Sequence, residues 1–234
     1  MSEPNRHEPP TAGGGDIVHS GIRAVISAIP YVGSPALEFF NFMLAPPVER
    51  RRQEWMEGVG EALRDLESRG AVTADDLQRN EAFVSTALQA AQVAVRTHQR
   101  EKLDALRNAV TNAALPGAPD DSLQLMFVGM VDRFTEWHLR VLKFLADPPQ
   151  WFASRDRQFP VFMTSSLSHI LTEAYPELKD RRDFYDQVAK ELLDCGLLNT
   201  DGLHAMMSAN GAAVSRTTDL GNRFLKFVAG RPAV

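Results

Sequence analysis

Residue types suited to metal binding or nucleophilic chemistry are sparse in this chain and poorly spaced for either. Its six histidines, His7, His19, His98, His138, His169 and His204, never fall as a pair at helical ligand spacing. Tetrahedral zinc needs about four nitrogen or sulfur ligands gathered together. The one cysteine, Cys195, has no second cysteine for a disulfide or a Cys-x-x-Cys metal motif. It precedes Gly196 at what reads as a helix end, where the negative end of the dipole raises a thiol pKa and works against a nucleophile. Asp132 and Glu136 lie four residues apart and would share one helix face, a geometry that suits general acid–base work. Carboxylates so placed are more commonly a solvated face. No glycine-rich loop ends in Lys-Ser or Lys-Thr, and Gly13-Gly14-Gly15 has neither the lysine nor a preceding strand, so it reads as linker and not as a phosphate cradle. These residues predict no catalytic group, no metal and no cofactor.

Two surfaces stand out for interaction instead. The first is an apolar hairpin over 17–44, which includes Ile22, Phe39, Phe40 and Phe42 and carries only Arg23 and Glu38 as formal charges. Arg50, Arg51 and Arg52 follow it. Each of its two helices reaches roughly 17–21 Å at 1.5 Å per residue, short of the ~30 Å hydrocarbon core of a bilayer. Such a hairpin packs as core, or lies at a membrane interface with the arginines at lipid phosphates; short apolar helices of this length favour the core. The second surface is basic: Arg181, Arg182, Lys190 and Arg216 are the candidate nucleic-acid contacts. A DNA reader gains much of its affinity by neutralising phosphates, yet Asp180, Asp183, Asp186, Glu191 and Asp194 crowd the same helix. Docking against protein is therefore preferred to DNA for this part.

The elements that position these residues are helical. A chain of 234 residues with 44% hydrophobic residues is long enough to bury a core without disulfides or metal. A net charge of −5 sets the overall field against nucleic acid. The proline- and glycine-bearing start, 1–15, reads as a disordered leader and not a signal sequence, and the lone thiol fits a reducing, cytoplasmic setting. Apolar residues then recur at helical spacing. Pro46-Pro47 stops the apolar helix and starts one that runs to about Arg69, with Val48, Trp55, Val59, Ala62 and Leu66 on one stripe. Thr73 and Asp76 form a capping pair, and a break near Thr97 divides the following helical stretch. Asp120 and Asp121 open a long helix bearing Phe127, Phe134, Trp137, Val141 and Leu145, which Pro148-Pro149 ends. Beyond it, helices are predicted over 162–175 and from a cap at Asp180 to Gly196. Leu197-Leu198 is a strand candidate, and Asn210-Gly211 a two-residue hairpin turn between Met207 and Val214. A last helix is capped by Thr217 or Thr218.

The run Leu192-Leu193-Asp194-Cys195-Gly196-Leu197-Leu198, followed by Thr218-Asp219-Leu220-Gly221-Asn222-Arg223-Phe224-Leu225, resembles the tail of bacterial abortive-infection proteins of the alpha type. His138-Leu139-Arg140-Val141-Leu142 and Asp147-Pro148 ahead of it are similar to the same proteins. The resemblance covers the C-terminal part of the chain. It implies a winged-helix-like tail and a role in phage defence, and it carries over no catalytic residue. The sequence therefore predicts a mainly α protein: a helical bundle over 16–147, a linker over 148–158 and a small winged-helix-like α+β module over 159–230. Its predicted function is non-enzymatic, through a protein partner or a homo-oligomer in phage defence or stress response. A winged-helix DNA regulator and a membrane-permeabilising effector stand as alternatives, and nothing identifies a small-molecule ligand.

Overall fold

The structure is a computed structural model that describes residues 35–160, 162–200 and 202–230, with the side chains of 35–38, 40 and 41 outside that description. Ile22 and the first helix of the apolar hairpin lie outside the described residues. Eleven α-helices and one 3-10 helix make up the described chain. It falls into two compact units, Met1–Pro47 and Val48–Val234. The mainly α class is therefore what the sequence predicts.

Helix α1, Pro35–Ser68, contains Pro46 and Pro47, which the sequence places at a helix boundary. Each proline lacks the N–H that a carbonyl four residues earlier would accept, so the helix continues with two rungs missing, and the division between the units falls at Pro47. Trp55 and Leu66 are the buried residues of α1, and the Trp55 indole donates to the carbonyl of Leu103 at 3.3 Å. Gly70, at φ +69°, ends the helix in the left-handed region that glycine adopts without a Cβ penalty.

Short side chains set the next boundaries. Thr73 caps α2 (Ala74–Arg79) by accepting from the Asp76 N–H, and Asn80 caps α3 (Glu81–Arg96) by accepting from the Phe83 N–H. Helix α4 (Arg100–Ala113) is central: it packs against α3 and against α5 (Asp121–Arg133). Leu106, Ala109 and Val110 have no solvent exposure, and the alanines let neighbouring helices come close. Between α3 and α5 a buried polar chain is fully satisfied: Thr86 donates to Gln124 at 2.8 Å, and the Gln124 amide donates to the Pro119 carbonyl at 2.8 Å.

The single long helix predicted from Asp120 is two. Helix α5 ends at Arg133, and α6 (Glu136–Ala146) begins after Phe134 and an extended Thr135. The reason is local chemistry: the His138 ring accepts from the Thr135 N–H at 3.1 Å and meets the Thr135 hydroxyl at 3.0 Å, a capping interaction stronger here than helix continuity. Asp132 and Glu136 consequently sit on different helices.

The stretch 148–158 is not a spacer in its first half. Pro148 and Pro149 open α7 (Pro148–Ala153), capped by Asp147, and Trp151 and Phe152 are buried. Trp151, Tyr175 and Phe144 meet edge-on, and the Trp151 indole donates to the Tyr175 hydroxyl at 2.8 Å. Helix α8 (Leu167–Ala174) is capped by Ser166, so the helix expected from residue 162 starts later. The 3-10 helix Pro176–Leu178 leads into α9 (Arg182–Asp194). Asp180, expected as its cap, stands at φ +62° instead, and Arg181 holds the cap position without a side-chain bond.

No strand forms among the described residues, only two isolated antiparallel bridges, Ser165 with Met207 and Leu198 with Thr217. Asn210-Gly211 lies within a short helix, α10 (Ala209–Ala212), so it is no hairpin turn. The Ser208 hydroxyl accepts from the Gly211 N–H, a local bond that draws this segment into a helical turn, while Met207 pairs with Ser165 instead of with the far side of a hairpin. The last helix, α11 (Asp219–Val228), packs on α4 and α6. Phe224 meets Phe127 and Phe134 edge-on at 5.4 and 6.1 Å, and Phe227 meets Phe127 at 5.7 Å. Contacts thus cross the expected division at 148–158, and the final helix shares the core of the bundle.

Gly221 is the close approach that seats α11: a Cβ there would stand 2.3 Å from the backbone oxygen of Leu197. Gly221→Ala is expected to cost about 2–3 kcal/mol, read as a lower urea midpoint. Gly129, helical and open but for Gln89 at 3.9 Å, is the contrast. Gly129→Ala should stabilise by about 0.5–1 kcal/mol in the same measurement.

Candidate functional site

On α1, Phe39, Phe42 and Met43 fall at helical i, i+3, i+4 positions and are 64%, 77% and 58% exposed, with Leu44 beside them at 45%. This is a contiguous apolar stripe facing solvent. Phe40 belongs to the same helix, its side chain outside the description. Of the arginines that follow, Arg50 pairs with Glu54 at 3.7 Å and Arg52 with Glu49 at 3.9 Å, while Arg51 lines a cleft against α4.

The four basic residues of the C-terminal part do not form one positive surface. Arg182, Asp186, Lys190 and Asp194 lie in one i, i+4 row of α9, with Arg182 bonded to Asp186 at 3.4 Å and Lys190 to Asp194 at 2.5 Å. Alternating signs cancel along that ridge. His204 adds a further contact to Asp186, at 2.8 Å. The Arg181 guanidinium covers the Phe184 ring at 4.2 Å. Arg216 turns inward, donating to the Gly211 carbonyl at 2.7 Å and the Met207 sulfur at 3.4 Å, and its Nε is buried without a partner.

The fold creates two titratable clusters that sequence spacing does not reveal. Glu136, four residues from Asp132, finds its carboxylate partner in Glu101, at the start of α4. Arg140 joins both, donating through Nε to Glu101 at 2.9 Å and lying 3.6 Å from Glu136. Burial, then the hydrogen bond with Glu101, holds the Glu136 carboxyl above the usual range. Burial would raise Glu101 too, but the bonds from Arg140 and from its neighbours outweigh it and hold that group low. The two carboxyls are therefore pushed in opposite directions, Glu136 up and Glu101 down. Asp132 pairs instead with Arg96 at 2.9 Å, and its carbonyl accepts from the buried Lys102 amine at 2.8 Å, a cation at the negative end of α5.

The second cluster surrounds His138, which is 4% exposed. Its ring stacks on Phe134 at 4.8 Å and bonds Glu191 of α9 at 3.0 Å. Burial lowers its pKa, against the pull of Glu191. Cys195, half-buried, contacts the Arg133 guanidinium; burial nonetheless pushes the thiol up, the direction expected at a helix end but from desolvation and not from the dipole. The Ser166 and Ser168 hydroxyls bond each other at 2.9 Å. Among the described residues no group of three or more His, Cys, Asp or Glu is placed to hold a metal, and no helix is long and apolar enough to cross a membrane. No family model, curated protein or solved structure matches the chain.

Both clusters join helices: Glu101–Arg140–Glu136 ties α4 to α6, and His138–Glu191 ties α6 to α9. The raised Glu136 favours the folded state while protonated, and that contribution is lost as pH rises through its folded pKa. The lowered Glu101 works in the opposite sense, and its contribution is lost as pH falls. Glu136→Gln, which keeps a hydrogen-bonding amide without the charge, is expected to stabilise the protein at pH 7 by less than about 1 kcal/mol. The gain should vanish near pH 4, where wild-type Glu136 carries its proton, in denaturant titrations at the two pH values.

Proposed function

We propose that this chain is a non-enzymatic helical protein that works by docking onto another polypeptide through the exposed stripe of α1, in the setting of phage defence or stress response that the C-terminal resemblance implies. The observation that supports the reading is the run Phe39, Phe42, Met43 and Leu44, each at least 45% exposed on α1. Contiguous exposed apolar surface of this kind marks interaction sites, and anchors at i, i+3 and i+4 fit a helix laid against a partner. The C-terminal helices α8, α9 and α11, which keep the helix order of a winged-helix module without its strands, serve this reading as a packed platform. The DNA alternative loses ground on the same residues: Arg182 and Lys190 are engaged by neighbouring carboxylates and Arg216 faces inward. The membrane alternative draws on the same stripe and on Arg50–Arg52.

Sedimentation equilibrium separates these. Self-association through the stripe predicts a mass above the 26.0 kDa monomer at tens of micromolar protein, returning to monomer in Phe39→Asp/Phe42→Asp. A wild-type monomer that floats with anionic vesicles would favour the membrane reading. A wild-type monomer that does neither removes the stripe as a self-docking surface.

A further inference from the structure

A cleft of about 220 Å³ opens where α1 passes α4, lined by Arg51, Glu54, Trp55 and Gly58 on one side and Arg100, Leu103, Asp104 and Arg107 on the other. Trp55 and Leu103 contribute its apolar part, and the indole N–H is already committed to the Leu103 carbonyl. Asp104 bonds one nitrogen of Arg107 at 3.0 Å. A guanidinium has five donors, so this one bond leaves donors for a ligand. Arg107 lies along Gly58, its Cδ 3.7 Å from where a Cβ would stand, an ordinary packing distance.

Three guanidinium groups against two carboxylates leave the lining with a charge of +1 in a chain whose net charge is −5. Both carboxylates are engaged by arginines, Asp104 by Arg107 and Glu54 by Arg50 from outside the lining. Planar arginine forks match the oxygens of a phosphate group two at a time. The volume is below the ~300–1,000 Å³ of sites for drug-sized ligands, which limits the guest to a small group.

We propose that the cleft between α1 and α4 binds a small phosphate-bearing anion, its charged oxygens held by Arg51, Arg100 and Arg107. The group comes from a free phosphate compound or from a lipid headgroup, and the recognition chemistry is the same for both.

Calorimetric titration of the full chain with inorganic pyrophosphate tests the free source. Sedimentation with phosphatidylcholine vesicles, with and without phosphatidic acid, tests the lipid source. Binding should be saturable and should weaken as salt rises. Arg51→Gln and Arg107→Gln should each lower affinity about tenfold, equivalent to about 1.4 kcal/mol, while Arg182→Gln on α9 leaves it unchanged. Glu54→Gln should tighten binding by removing a like charge, an increase that misfolding cannot mimic. Arginine-dependent binding in either arm supports the site and identifies the source. Absence of binding in both arms, or equal loss in Arg182→Gln, overturns it.

Discussion

The structure depends on the seating of its last helix. Helix α11 brings Phe224 and Phe227 against Phe127 and Phe134, at the end of a chain whose central helices lie more than a hundred residues earlier. Burial of two phenylalanines contributes roughly 1.5–3 kcal/mol each, and polar bonds fix the register. The Asn112 amide donates to the Phe227 carbonyl at 2.8 Å and to Ala229 at 3.1 Å, and Asn108 donates to Val228 at 3.1 Å. These carbonyls are the ones a helix leaves unpaired at its end, so α4 itself supplies the C-terminal cap of α11. At the other end, Thr218 accepts from Gly221 and donates to the Gly196 carbonyl at 2.6 Å, fixing the start of α11 to the end of α9. One short helix thereby joins the central helices of the core to its C-terminal part.

That seating explains which parts of the architecture were legible in the sequence. Helix existence followed from apolar spacing, and the helix starts at Thr73, at Asp120-Asp121 and at Thr217 or Thr218 were readable because a capping side chain acts over about three positions; Asp120 and Thr218 hold the last two caps. Three features were not. The break at Thr135 depends on His138 turning back on its own helix start, a choice between two local hydrogen-bonding schemes that spacing does not rank. The prolines at 46 and 47 suggest a stop, yet a helix that forgoes two hydrogen bonds can pass through them. Asn210-Gly211 has the composition of a hairpin turn, but no facing strands exist there, and Ser208 supplies a helical alternative. Over 148–158 composition marks the prolines and not the burial of Trp151 and Phe152.

The candidate sites followed the same rule. Sequence spacing joins residues on one helix, whereas the titratable clusters here are assembled across helices: Glu101 with Glu136 over 35 positions and His138 with Glu191 over 53. No local pattern signals such pairs. The basic residues of α9 were visible, but their neutralisation by Asp186 and Asp194 was also written at i, i+4 spacing, and reading it needed only the helix phase.

Charge placement and apolar exposure together bear on what the surface can do. Much of the chain's charge is spent in pairs along or between helices, which leaves the stripe on α1 as the surface with the clearest unmet burial. Covering Phe39, Phe42 and Met43 contributes roughly 2 kcal/mol each. Association costs on the order of 4–15 kcal/mol in lost freedom before any net affinity appears. The three side chains alone therefore sustain only a weak, reversible contact. A stable complex needs a partner that covers more of the protein than this stripe, or several copies engaged at once, where linkage raises the effective concentration of each contact.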